Sequence, residues 1–433
     1  MDTIISLLAF LIISIMGVKY ANSRNWAFVS SPYNAKENLR VSARQRFVLF
    51  LLALGVVQAG SFSATLLLVW ILLLVILLSK YGTRFSDSNL FLFYTIYLIW
   101  LLFSLISSPE QGFGFRMFAK YLFPFLVALV TSSMPNTDAF FLKALKVSFS
   151  SALLVNFVFL ITNILPVGFI TGPIFGPIIW WEPAVLDFNP FAMAVALVLY
   201  QLTKKKMYLY AIAIFIMIPI LGSIRTGLIG LGVSLLAISF FKYKLRALPI
   251  FGFIVIGFIS CVLFIPRVRD KMFRGTFNSA EEVINSWGVL SLDDLDTSGR
   301  LAMWEWALNT FYMGNELTGS GLGQIQARLY SGNHPFLVQA VHNDYVQILC
   351  DTGQTGLALY LLIIFSFVVH SFRIYNNNKN RESARNSAFI AGTSLCGIMA
   401  CAFTDNVINY SLITLTYPYA FFGFALVLQK IKN

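Results

Sequence analysis

Apolar runs separated by short polar breaks fill most of this chain, and only one polar interval is long. Membrane-crossing helices need about 17 to 25 predominantly apolar residues, with some allowance for tilt. On that measure the runs fall near 3–18, 46–60, 63–79, 89–107, 116–133, 147–165, 189–203, 207–222, 227–241, 247–265, 354–371, 388–403 and 414–429. The pattern predicts an all-α polytopic integral membrane protein with about 12 to 14 transmembrane helices. The hairpin around Gly60 and the short run at 227–241 are the least sharply bounded. The run Thr3–Val18 has no basic residue before it and no small-residue cleavage site after it, so it is expected to be a retained span and not a signal peptide. The long polar interval divides the chain into N-terminal spans (1–265), an outer segment (266–353) and C-terminal spans (354–433).

Composition enforces the same class. The chain is 58% hydrophobic and 12% charged, with 42 Phe, more apolar surface than a soluble core of this length can hide. The four cysteines show no CxxC or Cys/His spacing, so neither a disulfide framework nor a zinc site is indicated.

The net charge of +12 is mainly a topology signal. With the Lys19–Arg46 loop placed in the cytoplasm, most of the 31 Lys and Arg residues fall on that side, and no nucleic-acid partner is needed to explain the charge. Arg116, Lys120, Arg225, Arg267, Arg269, Lys271, Arg274, Arg300 and Arg328 remain outside and need local reasons, of which a shared anionic ligand is one. Arg225 stands in the tight turn Gly222–Gly227 between two apolar runs, where an arginine either faces a wet cavity or snorkels to headgroups. Arg116 and Lys120 are one helical turn apart and point the same way, with the same two explanations open.

Two outer segments are long. Pro166–Phe188 carries Trp180, Trp181 and Glu182, an interfacial anchor or a sugar-stacking platform, and leads into Asn189–Pro190. Pro266–Val341 begins basic, passes the acidic patch Asp293, Asp294 and Asp296, and reaches Gly299–Arg300 and an amphipathic stretch, Leu301–Tyr312, in which Trp304 and Leu308 share a face. It is too short for an independent enzyme domain and reads as a lid containing short helices over a cavity between spans. There is no phosphate-binding P-loop and no dinucleotide fingerprint, and Asp294–Leu295–Asp296 is a common tripeptide in an acidic loop. A donor carried on a membrane lipid needs none of these.

Chemistry concentrates in Val341–Gly356, VHNDYVQILCDTGQTG, where His342, one of only 3 histidines, is followed by Asn343, Asp344 and Tyr345. The absence of Gly or Pro from His342 to Leu349 allows a short helix broken at Gly353, with His342 and Tyr345 on the face toward the membrane domain. His342 there is either a proton-handling group or a residue lining the mouth of a helix bundle.

TSGRLAMWEWAL at Thr297–Leu308, the turn GSGLGQ at Gly319–Gln324 and HNDYVQILCDTGQTGLALYL from His342 together resemble the signature region of the bacterial O-antigen polymerase and ligase superfamily. A weaker resemblance covers GSIRTGLIGLGVSLL at Gly222–Leu236. The resemblance implies a glycosyltransferase of the GT-C-like class, inverting and metal-independent, using an undecaprenyl-diphosphate-linked oligosaccharide as donor at the outer face of the bacterial inner membrane. It implies that Arg225 and Arg300 hold the diphosphate and that His342 is the catalytic base. Arg116, Lys120, Asn343, Tyr345 and Asp351 are candidate supporting residues, and no cofactor or metal is implied. Two departures stand out: Asp351 where the family usually has Glu, and Ile224 between Ser223 and Arg225. Neither removes a charge.

Such a transfer needs a base for the attacking hydroxyl and positive charge for the departing diphosphate, which a histidine and two arginines supply. The leading expectation is a polymerase of O-antigen, capsule or exopolysaccharide repeat units acting on an acceptor glycan among membrane lipids, with a chain-length regulator as a further partner. The alternative is a ligase that transfers the finished glycan to lipid A–core or protein. A lipid-linked-glycan flippase or secondary transporter would place charges at mid-span and show repeat symmetry, and neither is evident.

Overall fold

The computed structural model describes residues 42–57, 63–81, 88–134, 138–165, 183–273, 279–286, 298–332, 334–336 and 340–430. The expected span at 3–18, the Trp180–Glu182 cluster, the 293–296 acidic patch and Arg274 lie outside these residues. No β-strand element occurs among the described residues.

Every other expected apolar run coincides with a helix. These are α1 (Ala43–Leu54), α2 (Ser63–Tyr81), α3 (Asn89–Ile106), α4 (Gln111–Ser132), α5 (Asp138–Phe159), α6 (Asn189–Thr203), α7 (Met207–Gly222), α8 (Arg225–Tyr243) and α9 (Leu248–Phe264). After the interval of short helices α10 (Pro266–Met272), α11 (Ala280–Asn285), α12 (Arg300–Ala307) and α13 (Gln324–Tyr330) come α14 (Asp344–Asn377), α15 (Glu382–Cys401), α16 (Ser411–Thr414) and α17 (Thr416–Leu428).

Among the described residues 6 stretches are long and apolar enough to cross a membrane, or up to 7 if the pair Val407–Thr414 and Thr416–Leu428, bent by 53°, is one span. This is fewer than the 12 to 14 spans expected. The shortfall has a physical origin. Helices of 12 residues (α1) or 13 (α17) rise only about 18 to 20 Å, short of a hydrocarbon core about 30 Å thick. Helices α8 and α9 form one continuous 40-residue apolar stretch. Bulky apolar side chains stand exposed on the rim helices, such as Leu72 on α2 and Phe253 on α9, the latter 75% exposed. A soluble protein would not leave such a surface to water, whereas acyl chains solvate it.

Helix α15 is the axis of the bundle. Its sequence, ESARNSAFIAGTSLCGIMAC, is poor in large residues, and it packs against α6, α8, α14 and α17. Between helices in lipid, close approach rests on small residues that let backbones touch. A Cβ added at Gly397 of α15 would lie 2.5 Å from the carbonyl oxygen of Gly230 on α8. The ring of Pro190 fills the remaining side of that contact.

The Asn–Pro pair at the start of α6 also has a structural account. Pro219 inside α7 removes an N–H, leaving the carbonyl of Phe215 without its usual i+4 donor. The Asn189 amide donates to that carbonyl at 3.0 Å and exchanges hydrogen bonds of 2.8 and 3.1 Å with Asn156 on α5. Buried polar groups are tolerated when so completed.

Candidate functional site

The segment between α9 and α14 folds back on the first turns of α14. Met303 and Ala307 of α12 and Phe311 of the following π-turn form the buried face of the amphipathic stretch. Ala307 and Phe311 pack with Ile325, Leu329, Val341 and Cys350 as a small separate core. Two further ties fix its seat. Asp351 accepts from the backbone N–H of Gly323 (3.0 Å) and Ile325 (3.3 Å), so its carboxylate orders the turn before α13. Gly353, with φ +69° and ψ −174°, breaks the helical path inside α14, and a Cβ there would lie 2.3 Å from the carbonyl carbon of Leu317. Only glycine combines that backbone with that approach.

His342 lies just outside α14. The N-cap is Asn343, whose side chain accepts from Val346 N at 3.0 Å, so the helix begins at Asp344, two residues later than expected. His342 therefore does not share a helical face with Tyr345. It adopts the left-handed conformation, φ +53°, and its N–H donates to Asn406 Oδ1 at 2.7 Å. Its Nδ1 lies 3.2 Å from Asp405 Oδ1, with the imidazole 31% exposed and the carboxylate 10% exposed. Tyr345 does face the membrane helices, donating to the Met399 carbonyl at 2.8 Å.

The histidine's partners come from Ala402–Tyr410, the link between α15 and α16. Asn406 donates to Asp344 Oδ1 (3.3 Å) and Gln347 Oε1 (3.1 Å), while Asp344 Oδ2 accepts from Ile408 N (3.0 Å). The Asp344 N–H in turn donates to Ala402 O at 2.9 Å. Asp405, Asn406 and Asn409 have no place in the sequence motifs above. The signal available was the polar break Thr404–Asp405–Asn406 between two apolar runs.

Arg225 meets the residue that precedes Gly299–Arg300. The Arg225 guanidinium donates to Ser298 Oγ at 3.0 Å, across 73 positions in the chain. Trp304, one turn beyond Arg300 on α12, donates to the carbonyl of Val341 at 2.9 Å and packs edge-on against Phe403 at 5.8 Å. The same short helix thus links the Arg225 turn to His342. Cys401 Sγ approaches the Thr226 carbonyl at 3.4 Å, closing the circuit from the Arg225 side. Ser223, Ser298 and His342, flanking or forming these three points, all hold positive φ (53°, 52° and 53°). Such conformations cost free energy outside glycine and concentrate at functional sites.

Lys120 approaches the Ala402–Tyr410 link from another side, donating to Asn409 Oδ1 at 2.6 Å. Arg116 is exposed with its guanidinium 5.2 Å from the Phe113 ring, and it shares with Lys120 a cavity of about 210 Å³ lined also by Tyr330 of α13. The shared direction expected of Arg116 and Lys120 is therefore observed. Asp351 is not brought to His342, since both its oxygens serve the α13 turn. Among the described residues no group of three or more His, Cys, Asp or Glu side chains is spaced to hold a metal ion.

These features define a helical, multi-pass membrane protein with a folded segment seated over one end of its bundle, where cations, a histidine and a carboxylate gather. Residues 209–361 match the family model described as O-antigen ligase, which supports placing the chain in the O-antigen polymerase and ligase superfamily of glycan-transferring membrane enzymes. The matched region contains Arg225, Arg300 and His342 but not Asp405. No curated protein matches the chain in sequence.

Proposed function

We propose that the protein is a polysaccharide polymerase that joins undecaprenyl-diphosphate-linked repeat units at the outer face of the bacterial inner membrane. The observation that carries the mechanism is the His342–Asp405 pair at 3.2 Å, linked through α12 and Trp304 to the Arg225–Ser298 contact. Nδ1 is turned to the carboxylate, which leaves Nε2 for substrate. Nε2 takes the proton of the acceptor hydroxyl as its oxygen bonds to the anomeric carbon of the donor. The bond from that carbon to the diphosphate oxygen breaks, and its electron pair leaves with the lipid diphosphate. Attack opposite to the leaving group inverts the anomeric centre. Asp405 stabilises the imidazolium that forms, and Arg225 and Arg300 balance the charge on the diphosphate without a metal.

A second reading, ligation of a finished glycan to lipid A–core, is favoured by the description of the matched family model. Purified protein given a synthetic lipid-diphosphate-linked repeat unit alone separates the two. A ladder of increasing length supports the polymerase. Transfer that occurs only when lipid A–core is added, as a single product, supports the ligase. Absence of product in both conditions, from folded protein, contradicts the shared chemistry.

A further inference from the structure

A second cation-lined cavity lies at the opposite end of the bundle. Arg225 begins α8 and Lys242 lies near its end, and a helix of 19 residues sets the two ends about 28 Å apart. Likewise α14 starts beside His342 and ends at Asn377, two residues after Tyr375 and two residues before Lys379. There the ends of α6, α8 and α14 and the first turns of α15 enclose a cavity of about 470 Å³ lined by Gln201, Lys242, Tyr375, Lys379, Arg385 and Asn386, among others.

The cavity is built for an anion. Arg385 is held by Tyr375, whose hydroxyl lies 3.0 Å from Nη2 and whose ring centroid is 4.6 Å from the guanidinium carbon. Its Nε has no hydrogen-bond partner among the described residues. Asn386 is only 7% exposed, yet its amide nitrogen also lacks a partner among the described residues. A buried donor without an acceptor is destabilising, and an oxygen-rich ligand relieves it. Lys242, with its ammonium 5.6 Å from the Phe389 ring, and the exposed Lys379 add positive charge, against which Glu382 is the one carboxylate in the lining.

We infer that this cavity binds a phosphate group, and that its source is the headgroup of an anionic phospholipid. The lipid source follows from what surrounds the cations. Phe240 and Tyr243, on the same last turn of α8 as Lys242, are 39% and 52% exposed and belong to the apolar exterior of the bundle. A free anion has no use for that surface, whereas acyl chains cover it. Basic pockets between membrane helices hold acidic headgroups in this way.

The test uses the full chain purified in detergent, with phosphatidylglycerol, phosphatidylcholine and inorganic phosphate as separate probes and native mass spectrometry as the readout. Phosphatidylglycerol should bind the wild type and phosphatidylcholine should not compete with it. Lys242→Gln and Lys379→Gln should each weaken binding about fivefold, and together about twentyfold. Lys379 is exposed, so its variant stays folded and keeps the test open if Lys242→Gln proves unstable. Retention of phosphatidylglycerol by both variants at wild-type affinity would overturn the site, as would equal binding of phosphatidylcholine. Binding of inorganic phosphate with none of phosphatidylglycerol would overturn the lipid source.

Discussion

Asp405→Asn tests the role of the carboxylate behind His342. The substitution keeps the volume and an oxygen able to accept from Asn406 N, a contact of 2.8 Å, so the Ala402–Tyr410 link should hold its shape. What it removes is a negative charge 3.2 Å from Nδ1. At that distance two unit charges interact by about 5 kcal/mol at an effective dielectric of about 20, and by about 1 kcal/mol in bulk water. The imidazole is 31% exposed and the carboxylate 10%, so the pair falls between these limits. Stabilisation of the imidazolium by about 3 kcal/mol corresponds to a rate loss of about a hundredfold. The assay is the initial rate of glycan transfer from a lipid-diphosphate-linked repeat unit, with thermal unfolding as the control for folding. The expected result is a fall in kcat of about a hundredfold, with KM and the unfolding temperature nearly unchanged. A rate within threefold of wild type, or a rate loss matched by loss of the folded protein, would refute the assignment.

Arg225→Lys keeps the charge but loses the planar fork, and kcat/KM for the lipid-linked donor should fall about 10- to 100-fold in a steady-state assay. Gly353→Ala forces a Cβ to 2.3 Å from the Leu317 carbonyl carbon at a positive φ, which should unseat the segment that carries α12 and α13. Limited proteolysis between α12 and α13 should then rise and transfer should be lost. Gly397→Val pushes α15 away from Gly230, where even a methyl would stand 2.5 Å from a carbonyl oxygen. It should cost about 2 kcal/mol or more, seen as a fall of several degrees in the unfolding temperature.

The helices were legible because each apolar run is long relative to its polar breaks, and Asn189–Pro190 and Gly353 carried visible backbone signals. The number of spans was less so, since length alone does not separate a crossing helix from a short buried one such as α17. His342 was legible as a residue but not in its placement. The absence of Gly or Pro suggested that it belonged to the helix, whereas capping by Asn343 leaves it outside in a left-handed turn. Asp405 and Asn406 were not legible. They lie 63 and 64 positions from His342, in a stretch without motif spacing, and only the packing of α14 on α15 brings them together. For Asp351, a candidate supporting residue of the signature stretch, the sequence does not reveal its partners, the backbone N–H groups of Gly323 and Ile325.

In the proposed mechanism His342 removes the acceptor proton. This step is tested most directly by comparing wild type with His342→Ala in single-turnover transfer from a lipid-diphosphate-linked repeat unit, with donor binding measured separately. Donor binding should persist while transfer falls by at least about a hundredfold. Transfer by His342→Ala at the wild-type rate would contradict the mechanism.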